Sequence, residues 1–212
     1  MEEDLEYEEE QKNSPIKWIL SIFLILILLL WLIPTYAIKL DPSPDYIVSL
    51  SEVVDSEIIV EDNYSSFVSL ELVNGKDPVV KGVADKIVVN GCGNKGKICH
   101  AKSIFYFVRD NFEYVLDPTA FEYVKSAKQS LAVGGGDCDD ASVLLASLLD
   151  SVGVRTRFVF VPRHVYVQAY LPEALNRYKT EGEWVNLDAT CKNCEFGEIT
   201  YSTAESNKRY LG

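Results

Sequence analysis

The chain has 212 residues, with 20 basic and 32 acidic side chains and a net charge of -12. That balance argues against general nucleic-acid binding, which needs a basic face to displace counterions. A hydrophobic content of 48% is too high for a disordered chain, though one segment inflates it.

Residues 1–17 hold seven acids and two lysines. They form an acidic tail, read as a solvated segment or a docking sequence. Residues 18–33, WILSIFLILILLLWLI, carry no charge. With their flanks they are long enough to cross a hydrocarbon core of about 30 Å. Trp18 and Trp31 fall toward the ends of this run, where indole rings favour the interface. A cleaved leader ending at Ala37 and a buried soluble helix are the alternatives. The long acidic start and unbroken apolar run favour a retained signal anchor over residues 17–37. Lys12 and Lys17 precede it and only Lys39 follows closely, so the expected topology is single-pass in the cell membrane with the C-terminal domain outside. The expected organisation is a tail (1–16), an anchor (17–37), a linker and connector (38–76) and one domain (77–212).

Within the connector, residues 57–61 suggest a short strand and residues 66–73 alternate weakly. Pro78 suits a helix start, and Val79, Val80, Val83, Ala84, Ile87 and Val88 recur at helical spacing. A glycine-rich knot containing Cys92 and Cys99 follows. Ala101, Ile104, Phe105, Val108 and Phe112 then make an apolar stripe on a second helix, with His100 as a surface or cap residue. After Gly134, Gly135 and Gly136, Asp137 is placed to cap a helix running to Ser151 that is apolar over most of its circumference. Strands are expected at residues 155–161, 164–171 and 183–189, with a polar hairpin loop over 172–182. A central helix followed by an antiparallel sheet is an α+β layout.

Cys138 stands in the first turn of the central helix, where free amides and the helix dipole favour a thiolate and can receive an oxyanion. Asp139 and Asp140 partly oppose that charge. On the second strand His164 shares a face with Tyr166, Gln168 and Tyr170; on the third, Asp188 shares one with Trp184 and Asn186. Antiparallel pairing would bring His164 and Asp188 together, Asp188 orienting the imidazole and His164 taking the proton of Cys138. A buried structural thiol, a polar edge histidine and a turn aspartate are the bland readings of the same residues.

The segment Gly135-Gly136-Asp137-Cys138-Asp139-Asp140-Ala141 resembles the nucleophile motif of the transglutaminase-like superfamily. His164-Val165-Tyr166-Val167 resembles its histidine strand, and Trp184-Val185-Asn186-Leu187-Asp188-Ala189-Thr190 its aspartate strand. Upstream, residues 107–114 resemble the helix that precedes the motif. Ala189 stands where proline is common and Val165 where alanine is frequent. The resemblance covers roughly residues 77–190 and suggests a compact, membrane-anchored member of microbial or archaeal type. It implies a papain-like core in which a cysteine-bearing helix packs on an antiparallel sheet, with catalytic residues Cys138, His164 and Asp188. It implies acyl transfer from protein or peptide amides through a thioester, with no catalytic cofactor. Hydrolysis is slightly favoured over glutamine–lysine cross-linking, since the compact chain shows no sign of extra domains for holding two protein substrates. An amine acceptor would need a hydrophobic tunnel, for which Trp184 and the tyrosines are candidates. The remaining alternative is an inactive membrane-anchored binding or scaffold module.

Cys92, Cys99, Cys191 and Cys194 form two sequence pairs, expected to make one structural cluster apart from the active site. A structural zinc site, disulfides and buried thiols are the three states considered.

Overall fold

The computed structural model describes residues 15–37, 41–54, 58–60, 65–118 and 123–212. The chain divides into two compact units, with the boundary between Leu40 and Asp41. In the first, α1 (Pro15–Ala37) carries the uncharged run. Its window Pro15–Leu32 has a mean hydropathy of 2.4, with none of it buried. By length and composition this helix can cross a membrane, and a signal sequence would meet the same test.

The second unit begins with a segment that returns its apolar side chains to the core. Val48, Val53 and Val68 are buried there. Residues 50–53 form the short helix α2 (Leu50–Val53), whose first amide is held by Asn111 Oδ1 at 3.0 Å. Of the strand expected at 57–61, residues 58–60 are described and are not extended into a sheet, and the other two lie outside the described residues. The weak alternation at 66–73 is resolved into a 3₁₀ turn, Leu70–Leu72.

Asp77 caps α3 (Pro78–Cys92) by accepting from the amides of Val79 and Val80, with Pro78 at the first position. The periodic apolar residues Val80, Val83, Ala84, Ile87 and Val88 are all buried. The stripe of α4 (Lys97–Asn111) is buried likewise. Lys102 lies in the same helix and is 2% exposed, neutralised by Asp41 at 2.5 Å and flanked by the rings of Tyr178 and Phe196. His100 departs from the expected surface position. The helix starts three residues before it, the residue is half-buried, and its Nε2 has no hydrogen-bond partner among the described residues.

β1 (Glu113–Tyr114), α5 (Ala127–Val133), β2 (Gly135–Gly136) and α6 (Cys138–Ser151) follow in order. Ten consecutive residues of α6, Asp140 through Leu149, are buried, so this helix is the centre of the core. It packs on a five-stranded antiparallel sheet of order β5-β6-β4-β3-β7. The strands are β3 (Thr156–Val161), β4 (His164–Tyr170), β5 (Lys179–Glu181), β6 (Trp184–Leu187) and β7 (Arg209–Leu211). A short helix, α7 (Tyr201–Ala204), precedes β7. The expected α+β class, with the cysteine-bearing helix on an antiparallel sheet, is the fold observed.

Val165, Val167 and Ala169 of β4 and Val185 and Leu187 of β6 are buried on the apolar side of the sheet. On the other face of β4 Tyr166 and Gln168 are buried; the Tyr166 hydroxyl has no hydrogen-bond partner among the described residues, whereas the Gln168 amide is paired. Gln168 Nε2 donates to Asn186 Oδ1 at 2.7 Å, and Arg157 Nε donates to Gln168 Oε1 at 2.7 Å. Satisfied in this way, buried amides specify register rather than weaken the sheet.

The four cysteines outside α6 pair locally as disulfides, Cys92 with Cys99 and Cys191 with Cys194. Disulfide sulfurs offer no thiolate to zinc, so of the three states considered this structure holds the disulfide one. The structure holds two separate local bridges where one cluster was expected, and hydrogen bonds tie the second half of α4, rather than the Cys92–Cys99 bridge, to the segment around Cys191 and Cys194. Arg109 Nη1 donates to Cys194 O at 3.0 Å, Tyr106 Oη to Glu195 Oε2 at 2.7 Å, and Lys192 Nζ to Phe112 O at 2.7 Å.

Candidate active site

The turn that presents Cys138 is held from two directions. β1 and β2 pair in parallel, Glu113 with Gly135 and Tyr114 with Gly136, so the glycine run is fixed backbone rather than a flexible loop. A Cβ on Gly136 would fall 2.1 Å from Asp140 Oδ2, and one on Gly135 would fall 2.9 Å from Glu113 O. Close approach, more than conformational freedom, therefore requires glycine at both positions. Asp140 is fully buried and paired with Lys125, whose ammonium and backbone amide donate at 2.6 and 2.7 Å. The same carboxylate accepts the Asp137 amide at 3.3 Å. Asp137 in turn accepts from the amides of Asp139 and Asp140, at 3.0 and 3.4 Å. Two first-turn amides expected for an oxyanion are thus occupied by the cap.

The sulfur of Cys138 meets the start of β4. The backbone of Val165, the residue after His164, lies near enough to favour the charged form of the sulfur. One turn on, Ser142 Oγ donates to Val165 O at 3.2 Å. The site end of β4 is therefore bonded to α6 through the Val165 carbonyl.

His164 opens β4 after the two-residue turn Pro162-Arg163, across which Val161 pairs with His164. Arg163 has φ 62°, a left-handed conformation uncommon for residues other than glycine. In the β4–β6 register Val167 pairs with Leu187, which carries Asp188 back toward His164. Their side chains meet, His164 Nε2 to Asp188 Oδ2 at 2.9 Å. Thr190 Oγ1 and the Thr190 amide donate to the other carboxylate oxygen at 2.7 and 3.2 Å. Asp188 is 2% exposed. Burial opposes its ionisation, but His164 and Thr190 outweigh that and hold the carboxyl below its ordinary value.

The Cys138 thiol behaves differently from the sequence expectation. Burial pushes it up to about 12, and Asp139 and Asp137 add to the rise, while the Val165 amide opposes it. Asp139 Oδ1 lies 3.5 Å from the sulfur, as an acceptor for the thiol proton. The resting group is a thiol, and the helix terminus does not make it a thiolate.

Two further features were not read from the sequence. Tyr114 is 48% exposed beside this turn, and burial followed by the nearby Cys138, Asp137, Asp139 and Asp188 raises its phenol above the ordinary value. Lys125 stands 15 residues from Asp140, and no local pattern signals their pairing. Ligand-capable atoms of Asp137, Cys138 and Asp139 lie within 4.8 Å of one another, a set that could hold a metal ion. Trp184 pairs with Tyr170 at the far end of β6, its ring edge-on to Tyr170 at 5.4 Å and covered by Arg157 at 4.4 Å.

The stretch of chain that carries Cys138, His164 and Asp188 matches a known family. The profile of the Transglutaminase-like superfamily matches residues 82–189, just over half of the chain, and the chain belongs to that superfamily. Membership supports thiol-dependent hydrolytic or acyl-transfer chemistry as a class. No curated protein matches the sequence. Solved structures with a similar course include calcium-bound LapG of Legionella pneumophila, at 20% identity and a TM-score of 0.45, over 62% of this chain and 74% of that one. LapG of the same organism matches at 19% and 0.44, over 68% and 83%, and its EGTA-treated form at 19% and 0.44, over 68% and 81%.

Proposed function

We propose that this protein is a cysteine hydrolase of peptide or protein amide bonds, with Cys138 as nucleophile, His164 as general acid and base, and Asp188 as the residue that orients His164. The observation that carries the reading is the 2.9 Å bond between His164 Nε2 and Asp188 Oδ2, one residue away from Val165, whose carbonyl is bonded to Ser142 on the helix that begins with Cys138. With Nε2–H donating to the carboxylate, Nδ1 is the nitrogen left to accept the thiol proton.

In this reading the Cys138 sulfur attacks the carbonyl carbon as His164 takes its proton. The oxyanion is assigned to the amide of Cys138, a first-turn donor that the Asp137 cap does not occupy. His164 then returns the proton to the departing amine, and the C–N bond breaks to leave a thioester. Water attacks the thioester, losing a proton to His164, and the carboxylic acid departs as the thiol is restored. Hydrolysis is favoured over amine transfer by the surroundings. His164 retains 21% side-chain exposure, and Asp137 and Asp139 line the entrance, so water reaches the acyl group. Trp184 and Tyr170, the aromatics suited to a water-excluding tunnel, are packed at the other end of β4 and β6.

Residues 77–212 act as the catalytic domain in this reading, with 1–16 as a tail and 38–76 as linker and connector. Helix α1 is retained as a membrane anchor, and the lysine bias before it puts the domain outside the cell. The test uses full-length protein in detergent with a peptide library in ¹⁸O-water, plus a fluorescent primary amine. New C-termini carrying ¹⁸O, absent with Cys138→Ala, are the expected result. Amine incorporation without new C-termini would replace hydrolysis by transfer, and neither product would reject amide chemistry.

A further inference from the structure

A groove of about 870 Å³ is bounded by β7 and reaches Asp139, the residue after Cys138. One wall is the segment 66–71, which exposes Phe67 and Leu70. The other is β7 with Phe160 of β3. Asp139 closes one end, and its carboxylate is 3.5 Å from the Cys138 sulfur. β7 stands last in the sheet order and pairs with β3 alone among the described strands. An edge strand turns alternate N–H and C=O groups outward, ready to pair with another extended chain.

The register fixes where such a chain would lead. Phe160 pairs with Val165 on one side and with Arg209 on the other. Arg209, Phe160 and Val165 therefore lie in one row across the sheet, and the Val165 carbonyl is bonded to Ser142, one turn after Cys138 on α6. A chain lying against β7 reaches the level of Cys138 at its Arg209 end. Charge distinguishes the two walls. Residues 38–212 are net acidic, and Glu71 and Asp139 follow that trend, whereas Arg209 is an exposed cation over the Phe160 ring at 4.7 Å.

We propose that this groove binds an extended segment of the protein substrate on one side of the scissile bond, as an added strand on β7, with an apolar side chain on Phe67 and Leu70 and a carboxylate on Arg209. The proposal rests on Cys138 being the nucleophile. It names the substrate class as extended segments that combine an apolar and an acidic residue, which adds specificity that the catalytic residues do not supply. Strand pairing gives binding that is indifferent to sequence, and the alternating side-chain contacts select among segments.

The test separates binding from catalysis. Full-length Cys138→Ala protein in detergent receives p-benzoylphenylalanine in place of Phe67 or, as a control, in place of Tyr201, which is 82% exposed on α7. Each protein is irradiated with a peptide library of known composition, and captured peptides are sequenced by mass spectrometry. Capture at position 67 is expected to be enriched in peptides that pair apolar and acidic residues, and Arg209→Glu is expected to reduce those peptides about tenfold. N-methylation of alternate backbone nitrogens in a captured peptide is expected to remove capture. Equal, unselected capture at positions 67 and 201, or a captured set indifferent to Arg209→Glu, would overturn the groove. The same library with Cys138 intact reports cleavage independently. Cleavage without selective capture rejects the groove and keeps the hydrolase. Selective capture without cleavage keeps the groove as a peptide site and rejects the hydrolase.

Discussion

A thiol pushed up to about 12 holds only on the order of 10⁻⁵ of its population as thiolate at neutral pH. In the proposed mechanism, reactivity of Cys138 near pH 7 comes through proton transfer to His164. Asp139 contributes to the rise both as a charge and as the acceptor of the thiol proton. Asp139→Asn is expected to lower the thiol pKa and speed alkylation at pH 7.5 by about threefold to tenfold, as roughly half to one pKa unit implies. Unchanged or slower alkylation would show that the aspartate does not act on the sulfur. Thr190 holds the second oxygen of Asp188. Thr190→Val leaves that buried carboxylate short of a donor, and turnover is expected to fall about tenfold with the fold retained. The residues proposed to react were legible in the sequence: glycines before a capped helix, alternation on two strands and the resemblance of three segments to family motifs together singled out Cys138, His164 and Asp188. The chemical state of the thiol was not. Helix position spoke for a thiolate, while burial and the geometry of two carboxylates appear only when the chain is folded.

At the scale of elements, the long helices were legible because their apolar residues recur at helical spacing and their ends carry Asp77, Pro78 and Asp137 as caps. β5 and β7 were missed, being three residues each, edge strands, and largely exposed. β1 and β2 leave almost no pattern in two residues apiece, yet they fix the turn before Cys138. Gly136→Ala would drive a methyl into Asp140, which Lys125 and Asp137 hold in place. A loss of about 1–3 kcal/mol in urea unfolding is expected, accompanied by loss of Cys138 reactivity. Wild-type stability in that variant would show that Asp140 moves freely. Asp41→Asn removes the counter-charge of buried Lys102, at a cost of about 3 kcal/mol and a fall in Tm of about 6–12 °C. A shift below about 2 °C would mean that the ammonium finds water or another anion.

For the whole molecule, the acidic balance and the uncharged first helix set the class, whereas the groove and the turn-to-strand contacts depend on segments far apart in sequence. The same long-range contacts link stability to pH. Asp188 is held below its unfolded value, so its contribution is complete above about pH 4 and is lost as pH falls through the folded value. Asp188→Asn should flatten that part of the acid unfolding curve. The central claim is that His164, oriented by Asp188, activates Cys138. It is tested most directly by the pH dependence of Cys138 alkylation with iodoacetamide, followed by intact mass, in wild type, His164→Ala and Asp188→Asn. Among the five cysteines Cys138 is the free thiol, so the added mass reports one site. The account predicts measurable alkylation at pH 7 in wild type, a drop of at least about tenfold in both variants, and recovery of His164→Ala only as pH rises toward 12. Equal rates at pH 7 in wild type and His164→Ala would contradict it.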